Sequence, residues 1–518
     1  MVKQSLFAGT AVLAGASFIN RILGFLNQVL LIRLISAEGI GLFSMVYPIY
    51  VLLLVIASIG IPVATSKLVA EEMAKSNIRG AYQVFKVSFS IILVNSSVLT
   101  TLLVLVLPWL RTSVFPNPNV YYSFVALIPG IIIVSLCSSF RGFFQGLQHM
   151  SPTAISQTIE QVARVVAGLS LAYLLLPRGI AFATAGASAG VVIGEFIGFL
   201  TMVGIFIRQR PAVSKGSNFI LPASSIGLCK RIFKLSLPVT LTRVVSTALL
   251  SVDAVLIPQR LAVAGQSLQE ATVTYGKLTG MAQTMLFTPG MITIALATAL
   301  IPAISDAQAQ CNPRLLLGRV STAIRVSVFI GLPSAVVFLL LPSQICGLLF
   351  GYEDAGSILA VLAVGGPFLY LSQTLTGVLQ GLGRVMDPFK NLLIASVFKI
   401  AGIYYFTAIP SIAIKGAALA LVVHMVIMSL LNLRDVFRYT GFKYDIKNTV
   451  VKPLFSSLLM GFAIWVTAPP QPLPGATLFS LLVGSLVYAV TLILSKPFDQ
   501  QEWNRFKLLL KHAINKFT

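Results

Sequence analysis

About fourteen separate apolar stretches of some twenty residues run along this chain, and they restrict its fold more than any other feature. They lie near 6–34, 44–66, 84–109, 121–142, 152–176, 180–207, 233–260, 278–303, 318–341, 357–381, 388–408, 412–433, 450–468 and 476–495. A helix of about twenty residues crosses the roughly 30 Å hydrocarbon core of a bilayer. Inside that core no water can satisfy backbone N–H and C=O groups, so a spanning segment has to bond its own backbone. The reading that follows is an all-α polytopic membrane protein with about fourteen transmembrane helices. Charge content agrees: 10% of the 518 residues are charged, against about 25% in soluble proteins. The first stretch begins with a short basic segment but continues through Leu34, too long for a cleaved leader, so it reads as a retained span.

The net charge of +22 has a membrane explanation. Cytoplasmic loops of membrane proteins collect Lys and Arg, which leaves no call for a nucleic-acid partner. With both termini inside, and cations near a span's end counted with the adjoining loop, the fourteen spans place 27 of the 37 Lys and Arg on the inner side, 6 on the outer side and 4 deep within spans. A wrong span count would scramble that asymmetry. The four Cys form no CxxC pair and the three His are scattered, so neither a disulfide framework nor a metal centre is expected. No GxxxxGK[ST] loop occurs, which excludes nucleotide-driven pumping by this chain. No cofactor is implied.

Short motifs recur in the same order in both halves. "IPVATS" at 61–66 returns as "IPAISD" at 301–306, "QGLQHMSP" at 145–152 as "QGLGRVMDP" at 380–388, and Arg21 as Arg243. The unit is six spans, an even number, so the two lobes run parallel about a pseudo-twofold axis along the membrane normal. The expected division is an N-terminal lobe at 1–207, a cytoplasmic linker at 208–232, a second lobe at 233–433, and spans thirteen and fourteen within 434–495. The tail, 496–518, puts Trp503, Phe506, Leu510, Ala513 and Phe517 on one helical face and its cations largely elsewhere, as an interfacial helix on the anionic inner leaflet does.

Four cations lie inside spans: Arg21, Arg164, Arg243 and Lys399. With Ser151 capping a helix that starts at Pro152, Glu160 lies roughly 12 Å and Arg164 roughly 18 Å along it. A charge at the bilayer centre costs from about 3 to over 10 kcal/mol, so such groups face a wet cavity or a partner. Glu160 and Arg164 are spaced as an i,i+4 pair with Glu in the favoured position, which does not exclude a cavity role, and both count with Arg21, Arg243 and Lys399 as candidate substrate contacts. Lys399, Arg21 and Arg243 have no acid at that spacing and point to an anion-binding cavity with excess positive charge, suited to phosphate or pyrophosphate. Glu195, in "GEFIG", reads as a polar contact that locks helices, and Asp253 as a candidate ligand for a coupling cation.

"NRILGF" at 20–25, "GIPVATSKLVAEE" at 60–72, "RGFFQGLQHMSPTAISQTIEQVARV" at 141–165 and "ALATALIPAIS" at 295–305 carry a family likeness. The chain resembles the stage V sporulation protein B branch of the multidrug/oligosaccharidyl-lipid/polysaccharide exporter superfamily, close to the Gram-positive lipid II flippases. The resemblance implies a V-shaped fold, like that of the multidrug exporters, in the plasma membrane of a bacterium. It also implies outward flipping of an undecaprenyl-pyrophosphate-linked peptidoglycan precursor or related polysaccharide unit by alternating access, with wall-synthesis enzymes as partners. Arg21 matches one of the family's cavity arginines; a second, six residues on, is replaced here by Asn27, which takes that place among the candidate substrate contacts.

Three other readings compete. A drug or cation antiporter on the same fold predicts cavity acids in excess of cations, the reverse of what the spans carry. A membrane enzyme needs acids or His at a membrane face, where the outer loops offer Glu38, Glu270, Glu353 and Asp354. A noncatalytic scaffold for wall or spore-cortex assembly leaves the repeat and the buried charges without a purpose.

Overall fold

The computed structural model describes residues 6–113, 115, 117–209, 225–442, 446–468 and 473–495. Most of the expected linker (210–224) and the whole amphipathic tail (496–518) lie outside the described residues. Among the described residues seventeen α-helices follow one another: α1 Leu6–Ser58, α2 Ile61–Ala74, α3 Ile78–Ser113, α4 Val120–Gly146, α5 Ser151–Leu175, α6 Ile180–Gln209, α7 Ser225–Val263, α8 Leu268–Gly276, α9 Thr284–Ala309, α10 Pro313–Leu340, α11 Pro342–Phe350, α12 Gly356–Ala363, α13 Gly366–Gly381, α14 Met386–Phe406, α15 Ile414–Thr440, α16 Lys452–Thr467 and α17 Pro474–Leu494. A π-helical segment, Lys277–Gln283, joins α8 to α9.

Among the described residues twelve helices are long and apolar enough to cross a membrane, and a bent pair, 353–363 with 366–381, forms a thirteenth candidate with a 54° bend. The first of the twelve, Gly15–Ala74, is interrupted at Ser36, where φ is 64° and ψ 178°. That break divides the stretch in two, and the twelve or thirteen candidates agree approximately with the fourteen expected. The chain is thus a multi-pass membrane protein.

Breaks inside spans follow local chemistry. Between α1 and α2 the backbone turns left-handed at Ile59 (φ 45°) and Gly60 (φ 57°), with Pro62 behind them. The carbonyls of Ile56 and Ala57 accept hydrogen bonds from Asn95 Nδ2 at 3.1 and 2.8 Å. Such internal capping is what an interrupted helix needs at membrane depth. The start of α5 differs from the expected cap: Met150 occupies the cap position and Ser151 is already helical.

By its contacts the chain divides into two compact units, one of residues 1–280 with 403–414, the other of 281–402 with 415–518. In the first unit α4 lies against α2 through Gly142 and Gly146: a Cβ at Gly142 would meet the Pro62 carbonyl oxygen at 2.6 Å, and one at Gly146 that of Ser66 at 2.7 Å. In the second unit α13 lies against α9 in the same way. There, a Cβ at Gly377 would meet the Ala297 oxygen at 2.5 Å, and one at Gly381 the Ile301 oxygen at 2.9 Å. Every member of these two sets is separated by 235 residues from its counterpart.

The same interval relates other features inside the two units. Asn77 caps α3 by accepting from Gly80 N at 3.0 Å, and Asn312 caps α10 by accepting from Leu315 N at 3.0 Å. Left-handed Ser76 and Gln148 correspond to left-handed Cys311 and Gly383. Buried Val69, Phe85, Phe140, Phe143 and Phe144 correspond to buried Ile304, Val320, Leu375, Val378 and Leu379. The repeat therefore runs in a register of 235, and pairing "IPVATS" with "IPAISD" at an interval of 240 slips it by five residues. Small residues at a helix crossing let backbones touch, which replaces the hydrophobic drive that lipid cannot supply.

Candidate functional site

Three helices of the first unit, α4, α5 and α6, bring charge together, and α1 adds a hydroxyl. Along α6, Gly186, Gly190, Gly194 and Gly198 recur every fourth residue and form a stripe without side chains. Against it α5 approaches so closely that a Cβ at Gly194 would stand 2.7 Å from Arg164 Cβ, and one at Gly198 2.8 Å from Glu160 Cβ. The two charged side chains thus start at the α6 backbone.

Glu160 binds two guanidiniums. Its Oε1 accepts from Arg164 Nη2 at 2.7 Å, and its Oε2 accepts from Arg141 Nη2 on α4 at 2.6 Å. Arg164 Nη2 also faces Glu195 Oε1 on α6 at 3.6 Å, and Tyr50 on α1 donates its hydroxyl to Glu195 Oε2 at 2.6 Å. Side-chain exposure is 20% for Arg141, 19% for Arg164, 15% for Glu160 and 7% for Glu195, so the network is largely withdrawn from solvent. Two cations and two carboxylates compensate one another, as burial of charge requires.

The i,i+4 pair of Glu160 and Arg164 and the helix-locking place of Glu195 follow from spacing. Arg141 and Tyr50 do not. Arg141 stands near the end of α4 and reads as a loop cation in sequence; Tyr50 carries no charge. The glycine stripe of α6 was the available signal, since it places α5 and its charges against α6.

The remaining candidates are placed differently. Arg21 on α1 and Arg243 on α7 are both exposed in the first unit. Arg243 lies one turn from the N-terminal end of its crossing, Val239–Val263. Asn27 is half-buried on α1, and its Oδ1 is buried with no hydrogen-bond partner. One turn before it, a Cβ at Gly24 would lie 3.7 Å from Gln161 Nε2, so this stretch of α1 runs beside α5. Asp253, half-buried on α7, is within electrostatic reach of Tyr275 on α8. Among the described residues no group of three His, Cys, Asp or Glu could hold a metal ion.

Lys399 belongs to the second unit, on α14, and is 3% exposed. It stands 235 residues after Arg164 and interacts electrostatically with His424 on α15. The positions that correspond to Glu160 and Glu195 at the same interval are Ala395 and Leu430, so the carboxylates around Arg164 are not repeated.

Residues 6–308 match the family described as polysaccharide biosynthesis protein, and residues 278–405 match the MatE family. The chain is 33% identical to stage V sporulation protein B of Bacillus subtilis (strain 168), over 98% of this chain and 99% of that one. With the lipid II flippase MurJ of the same organism it is 27% identical, over 89% of this chain and 88% of the other. The solved inward closed conformation of a lipid II flippase MurJ superposes with a TM-score of 0.72, at 19% identity, over 94% of this chain and 99% of that structure.

Proposed function

Because the chain belongs to the polysaccharide biosynthesis protein family, within the stage V sporulation protein B branch of the multidrug/oligosaccharidyl-lipid/polysaccharide exporters, we propose that it flips a lipid-linked glycan precursor across the membrane. The proposed cargo is an undecaprenyl-pyrophosphate-linked peptidoglycan unit or related polysaccharide unit. It moves from the inner to the outer leaflet of the bacterial plasma membrane by alternating access, with both chain termini cytoplasmic. Enzymes that build or consume the lipid-linked unit are the partners this role requires.

One observation carries the reading. Arg21 and Arg243 are exposed guanidiniums on membrane-crossing helices. An exposed charge on such a helix is tolerable where it meets water or an anion, and a guanidinium pairs with phosphate oxygens through two parallel donors. Arg164 differs, because Glu160 and Glu195 already occupy it. Arg21 and Arg243 are therefore the proposed pyrophosphate contacts, with Asn27 adding an amide on the same helix as Arg21. Arg164 and Glu160 contribute by holding α4, α5 and α6 in place. Lys399 is proposed as a further cationic substrate contact, and Asp253 as the coupling-cation ligand.

The test is genetic. Cells depleted of their lipid II flippase should regain growth, or a sporulation-defective strain should regain spores, with this gene and not with its Arg21→Ala or Arg243→Ala forms at equal expression. Full rescue by both substituted forms rejects the assignment of these arginines. The match to the MatE family over 278–405 keeps a drug-antiporter reading in contention; ethidium efflux driven by the chain would establish that reading instead.

A further inference from the structure

The break between α1 and α2 opens a cleft on the first unit that the proposed transport does not use. Ile59, Ser90, Ile91, Val94, Asn95, Val98 and Phe233 line a cavity of about 450 Å³, within the range of ligand pockets. Val94, Val98 and Phe233 expose 63, 52 and 40% of their surface into or beside it. Its polar groups are few: Asn95 caps the carbonyls of Ile56 and Ala57, and Ser90 is exposed.

Charge marks one end of this cleft. Lys86 stands one helical turn N-terminal to Ser90 on α3, and Lys230 about one turn N-terminal to Phe233 on α7; both are exposed. Residues four or three apart share a helix face, so each lysine continues the face that lines the cleft. On the proposed topology the third and seventh crossings run in the same direction, so the two lysines lie at the same end, the cytoplasmic one.

We propose that this cleft is a binding site for an anionic phospholipid of the inner leaflet. One acyl chain lies along Ile59, Ile91, Val94, Val98 and Phe233, and the phosphate headgroup lies between Lys86 and Lys230. An apolar groove alone would accept any lipid chain; two lysines at its mouth select a negative headgroup, as basic pockets between transmembrane helices do. The bound chain covers the left-handed backbone at Ile59.

The experiment measures lipid that stays with the purified full-length protein after extraction from nanodiscs of equal phosphatidylglycerol and phosphatidylcholine. The wild type is expected to retain phosphatidylglycerol over phosphatidylcholine. Lys86→Gln with Lys230→Gln should reduce phosphatidylglycerol retention by about tenfold. Val94→Trp, which fills the groove, should displace it while leaving both lysines in place. Lys67→Gln with Arg314→Gln, which removes equal charge elsewhere on the basic side, should leave retention unchanged. Equal loss in the two charge-removed forms, no preference in the wild type, or displacement of phosphatidylglycerol by equimolar undecaprenyl phosphate would each overturn the assignment.

Discussion

Glu160 is the hinge of the buried charge network, and replacing it by Gln tests whether that network holds the first unit together. The substitution keeps the side chain's shape and a carbonyl acceptor but removes the charge shared by Arg141 at 2.6 Å and Arg164 at 2.7 Å. The cluster passes from two cations and two anions to two cations and one anion. Breaking a buried pair by removing one partner costs about 3–5 kcal/mol. The 15–20% exposure of these three side chains admits some solvent, so about 2–4 kcal/mol is the expected loss. Arg141→Gln alone leaves the opposite imbalance. The double substitution restores neutrality, with Arg164 facing Glu195 at 3.6 Å, and should recover at least about 1 kcal/mol relative to the sum of the singles. The assay is the rate of thermal inactivation in detergent, since large membrane proteins unfold irreversibly and their operational stability is a rate. A Glu160→Gln protein as durable as the wild type, or a double variant no better than additive, refutes the compensation argument.

Other consequences concern the backbone and the repeat. Gly142→Ala and Gly377→Ala should each destabilise the protein by about 1–3 kcal/mol, because a Cβ would meet carbonyl oxygens at 2.6 and 2.5 Å; similar losses in thermal stability at both sites are the check on the 235-residue register. Ser36→Gly should raise thermal stability, since a serine at φ 64° and ψ 178° costs about 1–3 kcal/mol of strain. Asn95→Leu leaves the Ile56 and Ala57 carbonyls uncapped at the helix break, and should cost about 1–3 kcal/mol, read as faster amide exchange around residues 56–60.

Much of this architecture is legible in the sequence, and the rest is lost for definable reasons. Span positions were readable because about 1.5 Å per residue and a 30 Å core fix how long an apolar run must be; α5, expected at 152–176, forms at Ser151–Leu175. Interruptions were not readable. Gly60 and Pro62 permit a turn locally, but what holds the left-handed pair Ile59 and Gly60 lies far along the chain: Gly60 packs on Ser236 and Thr240 of α7, nearly 180 residues away. The pairing of Glu160 with Arg164 follows from a periodicity of four, whereas Arg141 reaches the same carboxylate from another helix and no local pattern announces it. The register of the repeat depended on which small residues touch which carbonyls, and contact, not wording, decides that.

Two exposed guanidiniums, Arg21 and Arg243, are the proposed receivers of the pyrophosphate of a lipid-linked glycan. The most direct measurement is flipping of a fluorescent undecaprenyl-pyrophosphate-linked disaccharide in proteoliposomes that contain the purified protein. Outer-leaflet exposure is read by an impermeant quencher. The wild type is expected to equilibrate the probe between leaflets, Arg21→Ala and Arg243→Ala each to slow it by at least about tenfold through loss of a charge-assisted contact, and the same probe without phosphate is expected to stay in its leaflet. Wild-type rates in both arginine variants, or equal transport of the phosphate-free lipid, would contradict that assignment.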